Sequence, residues 1–154
     1  MKLYVKPTTN NKKYKTEIAK KYTIFLSQYP EIFSDLLYGS HFDFAIYDSM
    51  EKYENETPVE IFNVFCNGNG IEINPGKANG SDLELALSVK AIEKLIQTDS
   101  KEDYAKLLGT FYNQPDEERG WIDFLLHKRT QTIIDMGYGR FAKTAGLLDD
   151  ENDT

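Results

Sequence analysis

From Tyr14 onward apolar residues recur at threes and fours: Ile18, Tyr22, Phe25, Leu26 and Tyr29 share one helical face, and Pro30 ends the run. Pro30 suits the first turn of a second helix over 31–38, which Gly39 closes. Residues 42–53 read as a third helix, with Ile46, Met50 and Tyr53 on one side. The next signal is Thr57-Pro58-Val59-Glu60. A threonine, a proline and a glutamate in those places form a capping box, so 59–66 is predicted helical despite its β-branched and aromatic content. Asn67-Gly68 also favours a hairpin, which keeps a strand–turn–strand reading of 59–73 open.

Residues 71–80 read as a Gly/Asn/Pro loop, and Ser81-Asp82-Leu83-Glu84 repeats the capping-box form ahead of Leu85, Val89, Ile92 and Ile96. Ser100 and Asp103 cap a further helix that carries Tyr104, Leu107, Leu108 and Phe111. Pro115 restarts the chain with Asp116, Glu117 and Glu118 in a first helical turn, where the helix dipole favours carboxylates. Ile122, Leu125, Leu126, Ile133 and Met136 supply that helix's core face, with Gly137 as its stop, and a last short helix holds Phe141 and Leu147. The pattern predicts a mainly α fold: one compact domain over 1–148, a bundle of about seven or eight helices, with a short strand open to Leu3–Val5. Residues 149–154 are expected to be an acidic flexible tail.

Composition changes this picture in one respect, through charge. The 154 residues carry a formal net charge of −7. The basic N-terminal segment 1–21 holds seven lysines against Glu17, whereas 22–76 holds nine carboxylates against Lys52 alone. Charge sorted in this way sets a long-range field and speaks to partners more than to fold. An acidic chain is not expected to bind nucleic acid directly or to settle on anionic lipid; its natural partner is cationic. No apolar run reaches the length of a membrane span, and the single Cys66 suits a reducing cytoplasm.

Candidate chemistry is sparse. His41 stands before Asp43, and Asp123 precedes His127 by one helical turn, which would make these a capping carboxylate and a surface pair. Neither HExxH nor a Cys/His metal spacing is present, so no metal and no cofactor are expected. There is no Gly-x-Ser-x-Gly elbow, and Cys66 reads as a buried thiol. Neither Asn67–Gly70 nor 76–80 has the Walker lysine that a phosphate loop needs. An enzyme is therefore not expected. On the predicted helix over 42–53, Asp43, Asp48, Glu51 and Glu54 fall on one broad face, which Glu56 and Glu60 continue. At about 1.5 Å rise per residue such carboxylates are spaced on a scale comparable with the roughly 3.4 Å phosphate repeat of one nucleic-acid strand.

Residues 57–112 resemble a bacterial family of small helical proteins that includes a DNA-mimic protein from Neisseria. The matching stretches are Ile61-Phe62-Asn63-Val64-Phe65-Cys66-Asn67-Gly68-Asn69-Gly70, then Leu85-Ala86-Leu87, then Tyr104-Ala105-Lys106-Leu107-Leu108. The Gly-Gly that precedes the aromatic in that family is replaced here by Pro58-Val59-Glu60. The resemblance implies a helical fold and an acidic mimic, and it carries over no binding residue. The expected function is a non-enzymatic inhibitor whose partner-binding residues are Asp43, Asp48, Glu51, Glu54, Glu56 and Glu60. Its target would be a nuclease toxin or another nucleic-acid-binding protein, in the setting of an immunity protein, a phage-encoded inhibitor or a DNA mimic. The alternative is a small-ligand-binding or enzymatic helical domain with a pocket near His41 or His127.

Overall fold

Phe42, Phe44 and Ile46 alternate with His41, Asp43, Ala45 and Tyr47, and this period of two prevails over the helical spacing expected for 42–53. The computed structural model of the chain describes residues 13–147 and places a strand there, β1 (His41–Tyr47). A five-stranded mixed sheet is built around it, so the chain is α/β and not a mainly α bundle. The other strands are β2 (Glu60–Cys66), β3 (Ile71–Pro75), β4 (Leu83–Ser88) and β5 (Ile122–Leu126), in the order β3-β2-β1-β4-β5. β1 runs antiparallel to β2 and parallel to β4, and the two edge strands pair antiparallel with their neighbours.

Two predicted capping boxes are overturned. Thr57–Glu60 leads into β2, where Phe62, Val64 and Cys66 face the core in alternation, and the open hairpin reading is the one realised. Its turn closes with Asn67 N donating to Gly70 O at 3.1 Å, and Asn69 N donates to Asn67 Oδ1 at 3.0 Å. Ser81–Glu84 leads into β4, whose Leu83, Leu85 and Leu87 repeat the same alternation. The helix expected there starts later, as α3 (Val89–Leu95), and Ser88 Oγ caps it by accepting from Ala91 N at 3.1 Å. The helical implication of the family resemblance fails in the same place, since residues 57–112 contain β2, β3 and β4. Residues 115–136 are likewise not one helix. A tight turn at 116–120 feeds β5, and the short α5 (Thr130–Ile133) follows.

Other helices stand where the pattern puts them. α1 (Glu17–Gln28) buries Tyr22, Phe25 and Leu26, and α4 (Lys101–Asn113) buries Tyr104, Leu108 and Phe111 behind its Ser100 cap. The predicted helix over 31–38 contracts to a single 3-10 turn, Pro30–Phe33. The chain ends its described course in α6 (Gly139–Ala145), after a kink where Gly137 leaves helical geometry at φ 101. The helices α1, α3, α4, α5 and α6 all pack toward one face of the sheet and enclose the main core. The expected strand at Leu3–Val5, most of the basic segment and the acidic tail lie outside the described residues.

Candidate functional site

The opposite face of the sheet receives the other half of each alternation. β1 contributes His41, Asp43, Ala45 and Tyr47; β2 contributes Asn63; β4 contributes Glu84, and β5 contributes Asp123. Among the described residues only short pieces cover it: the brief α2 (Met50–Glu54), the loop 76–82 and the turn 116–120. At one end a small apolar cluster of Ala45, Tyr47, Ala86 and Trp121 receives Met50 and Tyr53 of α2. Tyr53 also donates its hydroxyl to Asp123 Oδ2 at 2.7 Å, which fixes α2 on this face. The N-terminus of α2 is held by Ser49 Oγ, which accepts from Lys52 N, and by the Glu117 carboxylate, which accepts from Met50 N at 3.1 Å.

Carboxylates from five segments thereby gather on and around this face. Asp48, Glu51, Glu54 and Glu56 are exposed on and around α2, Glu117 comes from the turn, Glu84 and Asp123 come from the sheet, and Asp43 lies beneath. Register sets Asp43 directly beside Glu84 on one side and Asn63 on the other. Asp43 is fully buried; its Oδ1 accepts from Ala78 N at 2.7 Å, and among the described residues no donor reaches Oδ2. The pKa of Glu84 is raised, first by burial and then by Asp43 and Glu56, while Lys77 and His127 act against the rise. Burial also lifts the Tyr47 phenol, with Glu84 and Glu56 adding to the effect. Glu56 adds backbone strain, as the one described non-glycine residue at positive φ, 54°.

The six predicted residues separate into three kinds. Asp48, Glu51, Glu54 and Glu56 remain exposed and close together. Asp43 is in strand β1 and not on a helix with them, because the period of two carries it under the face. Glu60 is buried at the start of β2 and anchors the start of α1 instead. Its carboxylate accepts from Lys15 N, Thr16 N and Thr16 Oγ1 at 2.7–2.8 Å. Glu84, Asp123 and Glu117 carry other roles in the sequence reading, in a capping box, a histidine pair and a first helical turn. A signal for the first existed, since Leu83-Glu84-Leu85 and Phe42-Asp43-Phe44 each set one carboxylate inside an apolar alternation.

The two histidines do not form an Asp123–His127 helix pair. Asp123 is bonded to Tyr53, and His127 Nδ1 pairs with Ser81 Oγ at 2.9 Å just beyond β5. His41 Nε2 donates to Asn63 Oδ1 at 2.9 Å, which leaves the Asn63 amide to donate to Gly76 O and Asn74 O. Asp82, fully buried, holds this end of the sheet together. It pairs with Lys128, and its Oδ2 accepts from Tyr138 OH at 2.8 Å and from His41 N at 2.9 Å. Among the described residues no group of three or more His, Cys, Asp or Glu side chains converges as a metal site. Cys66 is buried in β2, where burial and the Asp82 charge push its thiol up to about 11. Among the described residues no helix is long and apolar enough to cross a membrane. No protein-family model, curated protein or solved structure matches the chain.

Proposed function

We propose that this chain is a non-enzymatic inhibitor whose acidic sheet face covers a cationic groove on a partner protein. The observation that carries the reading is the placement of Asp48, Glu51, Glu54, Glu56, Glu84, Asp123 and Glu117 on the helix-poor side of the sheet, against the three cations Lys52, Lys77 and Arg119. The mechanism is competition. Exposed carboxylates pair with the Lys and Arg side chains that otherwise hold phosphates, and the complementary fields speed encounter. A nuclease toxin or another nucleic-acid-binding protein has the required groove. An immunity protein, a phage-encoded inhibitor and a DNA mimic are three settings of this one mechanism.

The test is capture of the partner from a native lysate, at low and at high salt, by wild type and by the triple variant D48K/E51K/E54K. Wild type should retain a basic protein at low salt and release it as salt shortens the Debye length below about 8 Å. The variant should lose that protein while keeping the wild-type melting temperature, because all three side chains are exposed. Equal retention by a folded triple variant would remove the acidic face as the interface.

A further inference from the structure

On the opposite side of the sheet lies a half-open cavity of about 370 Å³, between β1, β4 and β5 below and α4, α5 and α6 above. We propose that it is a binding site for a neutral aromatic small molecule of one or two rings. The volume falls at the lower end of the roughly 300–1,000 Å³ range of small-molecule sites. Of the nineteen described residues that line it, eight are aromatic and none carries a charge. Phe44, Leu85 and Phe124 form the floor, and Leu108, Phe141 and Leu147 belong to the walls and roof. Two of the tyrosine hydroxyls are already committed, Tyr104 to Tyr22 and Tyr138 to Asp82. Water entering such a space finds few partners, and a charged ligand would lose its hydration without compensation. An uncharged ring meets edges and faces suited to it.

The elements above the cavity are tied to one another and to the 34–39 loop. The roof is clamped at both ends. Gly109 of α4 lies so close to α6 that an added Cβ would sit 1.6 Å from Ala145 O. At the other end a Cβ on Gly137 would sit 2.0 Å from Asp35 O, and Leu37 N donates to Met136 O at 2.9 Å. The opening is framed by exposed residues from three elements: Tyr112 at the end of α4, Leu126 at the end of β5 and Thr130 at the start of α5. Two of these are large apolar side chains held 41% and 42% exposed, as expected at the mouth of an apolar site.

The test uses the neutral two-ring fluorophore 1-aminonaphthalene with the full chain, and naphthalene as competitor. Wild type should show a saturable, one-to-one rise in emission, a raised melting temperature with the probe, and displacement by naphthalene. Ala142→Phe places a ring inside the cavity, and Thr130→Trp narrows its mouth from an exposed position. Each should weaken probe binding by about ten-fold or more. If Ala142→Phe fails to fold, Thr130→Trp decides the matter alone. A wild type without saturable binding, or a folded Thr130→Trp variant that binds as well as wild type, would overturn the proposal. The acidic face lies across the sheet, so D48K/E51K/E54K should bind the probe as wild type does, and the two proposals fail separately.

Discussion

Tyr22 and Tyr104 meet hydroxyl to hydroxyl inside the core, at 0% and 1% exposure. Neither phenol has water to turn to, and burial raises the pKa of both. Tyr22→Phe therefore strands the Tyr104 hydroxyl and should cost about 1–3 kcal/mol in urea denaturation. Adding Tyr104→Phe should cost much less than a second such loss, a coupling that the double-mutant cycle reads directly. Glu84 makes a prediction of the opposite sign. Its pKa is raised by burial first, so the folded chain binds more protons than the unfolded chain, and stability falls as pH rises through the interval between the two values. Glu84→Gln should then melt higher than wild type at neutral pH, by less than about 1 kcal/mol given its partial exposure and the opposing Lys77. The gap should vanish below the ordinary glutamate range. Melting curves of both proteins across pH would show a constant gap if burial at Glu84 were not the cause.

At the scale of elements, Gly109 separates propensity from packing. Alanine is the better helix former by about 1 kcal/mol at an open site. Here α6 occupies the space that a Cβ needs, so Gly109→Ala should instead destabilise by at least about 1–3 kcal/mol, as read by the urea midpoint. The elements also differ in how legible they were. α1 and α4 announce themselves through spacing and, for α4, through Ser100, because each helix satisfies its hydrogen bonds within a few residues. The capping-box form of Thr57–Glu60 and Ser81–Glu84 is equally local, yet both stretches lead into strands. Four residues cannot report on pairing partners: β1 takes its bonds from β2 and from β4, which lies some forty positions on. Phe42, Phe44, Leu83, Leu85 and Leu87 held the competing signal, a period of two, inside windows that also fit a helix.

The whole molecule presents two unlike sides of one sheet: helices and an apolar cavity on one, carboxylates under thin cover on the other. This separation predicts independent behaviour. Thr130→Trp should leave salt-dependent partner capture intact, just as D48K/E51K/E54K should leave the probe site intact; paired capture and fluorescence measurements on both variants check it. The chain alone determined the charge asymmetry, the exposed group Asp48, Glu51, Glu54 and Glu56, and the helices α1 and α4, since each depends on neighbours in sequence. Tertiary structure decided the rest. It sent Glu60 to the start of α1, drew Asp43 beneath the face, and brought Glu84, Asp123 and Glu117 from distant segments to join the exposed four. Those placements follow from strand register and from which face of the sheet the helices cover, and both are set by contacts between residues far apart in the chain.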